Sequence, residues 1–409
     1  MNLKKYSKIY KLLKAEERRQ VETINLIPSE NYPSKAVLEA AGSILTSKYS
    51  EGYPGKRYYP GNKIYDQIEL LAQKSAKEIF KCGESYHVNV QSYSGTPANL
   101  AVYLALLNFG DRIMGMNLSH GGHLSHGHRV NFSGRAYKVV QYGVNLKTGK
   151  IDYEEVRKLA KKYRPKIIIS GATAYPRKIN FKKFHQIARE VGAISMADIA
   201  HIAGLIAAGF HPSPFPFTDV VTTTTQKTLR GPRGGIIFCK EKLAKDIDRA
   251  VFPGIQGGPH NNITFAKLVC FEEAKKPDFR IYQKQVLKNA EVLAEELKKY
   301  GFNLVSGGTD NHLILIDLRN KGISGKDAEE RLEKVGIIAN RNTVPGDPRK
   351  PYDPSGIRLG TPAITTRGMK EKEMKKIAEW IYRVISNKTE IKKIRTEVKN
   401  LAKRFKNGL

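Results

Sequence analysis

The sequence predicts an α/β fold: a large domain with a mostly parallel, seven-stranded-type sheet between helices, followed by a smaller C-terminal α/β domain. Short apolar runs alternate with longer helical patterns, the rhythm of βαβ units whose helices cover both faces of a parallel sheet. Several runs are apolar throughout rather than alternating, as strands buried on both faces are. Beyond about residue 280 the texture changes, and a long charged helical pattern leads into short strands.

In chain order, residues 1–45 read as an N-terminal helix and extended arm. The large domain is placed at 46–280. Its strands are expected at His87–Gln91, Arg112–Met116, Lys138–Tyr142, Lys166–Ser170, Ala193–Ala197, Asp219–Thr225 and Gly235–Cys239. Its helices are expected at Ile64–Phe80, Pro97–Phe109, Tyr153–Tyr163, Phe181–Val191 and Lys267–Lys275. The small domain is placed at 281–409. It opens with helix Ile281–Tyr300, then strands Phe302–Val305 and His312–Leu318, helix Lys326–Val335, strand Ile337–Asn340 and helix Gly368–Ser386. Lys388–Lys406 closes the chain as an amphipathic helix, with Ile391, Ile394, Val398, Leu401 and Phe405 spaced by three and four and a basic opposite face.

Composition narrows the function classes. The 409 residues carry 70 Lys and Arg against 39 Asp and Glu, a formal charge of +31. That excess permits weak, salt-sensitive contact with nucleic acid, but no recognised RNA-binding motif accompanies it. Cys82, Cys239 and Cys270 lie far apart and form no C-x-x-C pair, which argues against a zinc ribbon or a disulfide scaffold. The lysine-rich opening lacks the apolar core of a secretory signal, so the expected compartment is the cytoplasm. Val191–Phe210 is the one stretch that approaches a membrane span. It holds Asp198 and His201 in its middle and reads as a strand and a loop at a site; no membrane association is expected.

Six segments could carry chemistry. Thr222–Thr225 is a β-branched strand end, followed by Gln226, Lys227 and the turn Gly231-Pro232-Arg233-Gly234-Gly235. Open α/β sheets place ligands at the carboxyl ends of their strands. A lysine buried there has a lowered pKa and is a Schiff-base candidate; the plain alternative is a surface lysine. Asp198 follows the apolar run Ala193–Met196 and could pair with a cationic ring nitrogen, as an acid does in pyridoxal phosphate enzymes; alternatively it caps a helix. Ser94-Gly95-Thr96-Pro97 precedes a helix, where hydroxyls and free N–H groups can hold a phosphate or simply form an N-cap.

His120, His123, His126 and His128 crowd a glycine-rich loop. A metal site is conceivable, but no acid or cysteine lies within the cluster, so no metal is expected. A neutral imidazole stacked on a cofactor ring suits the other segments better. In Lys48–Tyr59 tyrosines surround Glu51, which could transfer protons or belong to an exposed aromatic loop. Arg358, in a Gly/Pro-bounded segment, could clamp a carboxylate through its planar fork or form a structural ion pair.

Together these segments resemble serine hydroxymethyltransferase, a fold-type-I pyridoxal phosphate family. The resemblance runs from about Ile24 to Trp380. It rests on Ile27-Pro28-Ser29-Glu30-Asn31, Glu51-Gly52-Tyr53-Pro54-Gly55, Met116–His123, Thr222–Thr225 with Lys227, Val305–His312 and Gly356–Ala363. It implies that Lys227 carries pyridoxal 5'-phosphate, that Asp198 pairs with the ring nitrogen, that His201 lies by the ring hydroxyl and that His123 stacks on the ring. Thr224 joins Lys227, Glu51, His123 and Asp198 as catalytic. Ser94, Gly95 and Thr96 would bind the phosphate, with Thr173 and Gln226 close by and Gly257 and Gly258 supplied by a neighbouring subunit.

The resemblance further implies that Ser29 and Arg358 hold the amino-acid carboxylate and that Glu51 faces the serine hydroxyl beside Tyr49 and Tyr59. Tetrahydrofolate or a related reduced pterin would lie over Leu118, Gly122, His123 and Leu124, with Tyr58, Tyr59 and Asn342 in contact. A homodimer or homotetramer with shared sites is implied. The chain departs from the family at Gln226 and Tyr93, where histidine is usual, and at Thr96-Pro97. Glutamine cannot carry charge beside a phosphate, so fine specificity is open. The rival enzyme reading is a pyridoxal phosphate aldolase of β-hydroxy amino acids that needs no folate.

Overall fold

The computed structural model describes residues 3–386 and 391–406. Its contacts divide the chain into Pro33–Lys284 and a second unit made of Met1–Tyr32 with Gln285–Leu409.

The larger unit is built on β1 (Tyr86–Asn89), β2 (Arg112–Met116), β3 (Lys138–Tyr142), β4 (Ile167–Ser170), β5 (Ile194–Asp198), β6 (Val220–Thr224) and β7 (Gly235–Lys240). Their order across the sheet is β1-β7-β6-β5-β4-β2-β3. The run from β6 to β3 is parallel throughout, and only β7 enters antiparallel, against β6 and β1. β4 (Ile-Ile-Ile-Ser) and β6 (Val-Val-Thr-Thr-Thr) are buried at every position, the double-faced burial their unbroken β-branched runs require. Helix α1 spans Lys63–Phe80 and α2 spans Gly95–Leu106. Ala98, Ala101 and Val102 of α2 share a core with Ile113, Ile167, Met196, Val220 and Ile237 of the strands.

α2 starts two residues before the expected Pro97, because Ser94 is already the cap, and it stops at Leu106, where Leu107 turns extended. The pattern at Lys267–Lys275 is the second half of helix α3 (Asn261–Ala274). Its first half is polar yet partly buried, so apolar periodicity understates it. The sheet's register decides the site. Asp198 ends β5 directly beside Thr222 of β6, and Lys227 lies three residues past the end of β6.

The second unit holds β8 (Asn303–Leu304), β9 (Leu313–Asp317), β10 (Asn340–Asn342) and β11 (Gly356–Gly360), all antiparallel in the order β8-β9-β11-β10. The sequence treats Gly356–Gly360 only as a Gly/Pro-bounded segment. It is instead a wholly buried inner strand, and it carries Arg358.

The N-terminal helix, Ser7–Glu22, belongs to this unit. The buried Arg367 guanidinium donates to the carbonyls of Gln20, Val21 and Thr23 on one side and of Ala402 and Phe405 on the other. Ile24–Asn25 adds a parallel pairing to Ile337–Ile338. The closing helix is observed over Ile391–Arg404, with Ile394, Val398 and Ala402 buried; Lys388, where its pattern begins, lies outside the described residues. Among the described residues no helix is long and apolar enough to cross a membrane.

Candidate active site

At the carboxyl ends of β5 and β6 the larger unit gathers Lys227, Thr224 and Asp198. Lys227 Nζ donates to Thr224 Oγ1 at 3.1 Å, which points the amine back over the strand end. Asp198 Oδ2 accepts from Asn99 Nδ2 at 2.9 Å and from His126 Nε2 at 3.0 Å, and Oδ1 accepts from the Ala200 N–H at 3.0 Å. Burial opposes ionisation of this carboxyl. The bond from His126, the electrostatic pull of His126 and His123, and the bond from Asn99 outweigh it and hold Asp198 well below the usual carboxylate range. A carboxylate offers about four acceptor positions, and these three bonds leave capacity for one more N–H.

The histidine loop is fixed by close backbone contact. A Cβ on Gly122 would lie 2.0 Å from the Met116 carbonyl oxygen, so only glycine lets the loop close over the end of β2. The Ser125 N–H donates to His123 Nδ1 at 3.2 Å, and Ser125 Oγ lies 2.7 Å from the same nitrogen. Ser125 Oγ also accepts from Asn99 Nδ2 at 2.9 Å, and Asn99 Oδ1 accepts from Thr222 Oγ1 at 2.6 Å. His123 and Asp198 are therefore joined through one buried polar network. His123, His126 and Asp198 each offer a ligand atom within 4.8 Å of the others. The His126–Asp198 hydrogen bond already occupies two of those atoms.

Ser94 is the extended N-cap of α2, so Gly95 and Thr96 present the helix's first N–H groups. A Cβ on Gly95 would come within 2.7 Å of Thr224 Cγ2, which places this turn against the end of β6 beside Lys227. Thr173 N and Ala174 N both donate to Gly121 O, bringing Thr173 to the histidine loop. The His201 carbonyl accepts from Thr228 Oγ1 at 2.9 Å, holding His201 next to the lysine segment. Gln226 Oε1 is buried without a hydrogen-bond partner among the described residues.

A second cluster forms around Glu51. A Cβ on Gly257 would lie 3.5 Å from Glu51 Oε1, and one on Gly258 would lie 3.4 Å from the Tyr49 ring. The Tyr49 and Tyr59 rings are 5.4 Å apart. The Tyr58 ring meets Phe252 edge-on and is otherwise exposed. Leu118 is half-buried and Leu124 exposed on the histidine loop.

Ser29, Arg358 and Asn342 belong to the other unit. Arg358 is buried on β11 and donates through Nε and Nη2 to Asn340 Oδ1, both at 3.3 Å. Burial draws its pKa down to about 10, which leaves it a cation at neutral pH. The Gly360 N–H donates to Leu26 O, and Pro28 lies where a Gly360 Cβ would be, so the segment carrying Ser29 is seated on the end of the arginine's strand. Asn342 closes β10 opposite Gly356.

Compared with known protein families, the chain matches serine hydroxymethyltransferase over residues 3–381. The chain belongs to that family. It is accordingly a fold-type-I enzyme of a class of pyridoxal-phosphate-dependent one-carbon transferases acting on serine and glycine. The residues present suit the cofactor. A depressed, largely buried carboxylate with one acceptor position to spare suits a protonated ring nitrogen, a lysine lies at the adjoining strand end, and helix N–H groups with two hydroxyls suit a phosphate. Sequence reasoning gave no positioning role to Asn99, Ser125 and His126, which hold His123 and Asp198 in place. His126 stands in the histidine loop and Asn99 two residues past Pro97, and only the fold shows both reaching Asp198.

Proposed function

We propose that the protein transfers the hydroxymethyl carbon of serine to tetrahydrofolate or a related reduced pterin, giving glycine and the methylene pterin. The observation that carries this is Asp198, a largely buried carboxylate held ionised by His126 and Asn99 at the strand end next to Lys227. Pyridoxal phosphate bound there supplies an electron sink for negative charge at the α-carbon of the amino acid.

The chain's own residues do the rest. Arg358 and Ser29 bind the serine carboxylate, the arginine through its planar fork. Lys227 would hold the cofactor through its amine, which Thr224 Oγ1 keeps at the strand end. His123 covers one face of the ring, with Nδ1 already accepting from the Ser125 N–H, so its proton sits on Nε2. Glu51 takes the hydroxyl proton of serine as the carbon–carbon bond opens. The pterin lies over Leu118, Gly122 and Leu124 and meets Tyr58, Tyr59 and Asn342. Gly257 and Gly258 complete the phosphate site of a partner subunit. The exposed apolar side chains Ile44, Tyr49, Tyr58 and Ile64 around the Glu51 loop support a homodimer at least. We place the enzyme in the cytoplasm.

Serine turnover measured with and without tetrahydrofolate tests this reading. Cleavage that depends on the pterin supports it. Retro-aldol cleavage of β-hydroxy amino acids at an undiminished rate without pterin would replace it with a folate-independent aldolase.

A further inference from the structure

The turn that leads into Ser94 has no regular backbone ladder. Ser92 O accepts one backbone bond, from the Gly235 N–H at 2.9 Å; Val90 O, Gln91 O, Ser92 O and the Tyr93 N–H also find side-chain partners, and two residues supply them. Gln256 donates to Gln91 O at 3.0 Å and accepts from the Tyr93 N–H at 3.0 Å. Lys267, on α3 and 1% exposed, donates from Nζ to Val90 O at 2.6 Å, to Ser92 O at 3.1 Å and to Gly235 O at 2.9 Å. An ammonium has three donors and no acceptor, so three carbonyl oxygens match its charged form completely. Among the described residues Lys267 forms no ion pair. The acid that acts on it, Glu69, is engaged by Arg57 at 2.6 Å and by Gln91 at 2.9 Å. The charged form of Lys267 that these carbonyls match stands directly behind the turn, and burial makes that charge costly unless an anion approaches.

We propose that Lys267 is a positioning residue for the phosphate end of the cofactor: its buried ammonium fixes Val90–Ser92 and β7 so that Ser94, Gly95 and Thr96 present their donors, and it adds positive potential beneath them. This rests on the reading that the Ser94 turn takes the phosphate. The same three carbonyls tie the turn to Gly235, where any Cβ would lie 2.5 Å from Ser94 O, so a shift of the ammonium is passed to Ser94 through a rigid contact.

The test compares binding of pyridoxal 5'-phosphate with binding of pyridoxal, which lacks the phosphate, to the resolved and reconstituted full-length enzyme. The variants are Lys267→Met and Gly234→Ala. The second keeps the lysine but sets a Cβ 2.3 Å from its Cε, displacing the ammonium. Both are expected to weaken pyridoxal 5'-phosphate by about ten- to a hundredfold while pyridoxal changes by no more than about twofold, the loss expected for hydrogen bonds to a charged group. Equal loss for both ligands, or no loss for either, overturns the proposal. If Lys267→Met does not fold, Gly234→Ala decides alone. A parent protein that binds both ligands equally would instead refute the phosphate reading of the Ser94 turn, an outcome visible before any variant is made.

Discussion

Replacing Asp198 by asparagine keeps the shape of the side chain and removes one charge and one acceptor. Three donors face this carboxylate: Asn99 Nδ2 and His126 Nε2 at one oxygen, and the Ala200 N–H at the other. Asparagine has a single acceptor atom. Its better orientation turns the oxygen to Asn99 and His126 and sets its NH2 against the Ala200 N–H; the other orientation opposes two donors. At least one buried donor is left unmatched, a cost of about 1–3 kcal/mol. Urea unfolding of Asp198→Asn should show that loss with an unchanged m-value. Activity should fall further than stability, because no charge remains to hold the ring nitrogen protonated. Loss of a preorganised electrostatic partner of this kind lowers turnover by about a hundredfold or more. Serine cleavage by the variant within about threefold of the parent, at full cofactor occupancy, would refute the role given to Asp198.

Other expectations follow from the same contacts. Lys227→Ala should abolish the visible absorbance of bound cofactor, read directly by spectrophotometry. Arg358→Lys keeps the charge but loses the planar fork, so KM for serine should rise by about tenfold or more while the unfolding midpoint moves little. Gly171→Ala should destabilise the larger unit by several kcal/mol, because its φ is +125° and its Cβ would lie 2.1 Å from Asp198 O. For Lys267, burial lowers the folded pKa to about 7 from 10.5, with Glu69 opposing and His260 the other titratable group coupled to it. The unfolded chain then binds more protons between those values. This group's contribution is least favourable below pH 7 and improves as pH rises towards 10.5, by up to a few kcal/mol. Lys267→Met should flatten that part of the stability–pH curve.

Much of this architecture was legible because apolar patterning records which faces are buried. Arg112–Met116, Lys138–Tyr142 and Tyr153–Tyr163 are observed at their expected bounds. Gly356–Gly360 was not legible as a strand, since glycine at both ends and an arginine at the centre break every strand pattern. It is buried only because Pro28 and Val344 fill the space its glycines leave. The N-terminal arm could not be assigned to either domain from sequence, because its ties to the small unit are all remote in the chain: Arg367 on Gln20 and Thr23, more than 340 residues away, and the pairing of Ile24–Asn25 with Ile337–Ile338.

Lys227, Asp198, His123 and Arg358 announce themselves as chemistry at strand ends and turns. The residues that aim them do not. Lys267 is one of 70 basic residues, and nothing in its residue type separates it from the others. What sets it apart is the company of Val90, Ser92 and Gly235, carbonyls that become a cluster only when β1 and β7 lie side by side. Backbone carbonyls carry no sequence signal, so a side chain whose partners are all main-chain atoms is invisible until the sheet order is known. Gln256 and Lys267 are of this kind, and Arg367, which adds the Tyr32 side chain to its five carbonyls, is nearly so. Each holds a segment that no ladder holds, and a substitution at any of them should be felt where that segment ends: for Gln256 and Lys267 at Ser94, for Arg367 at the junction of the first and last helices.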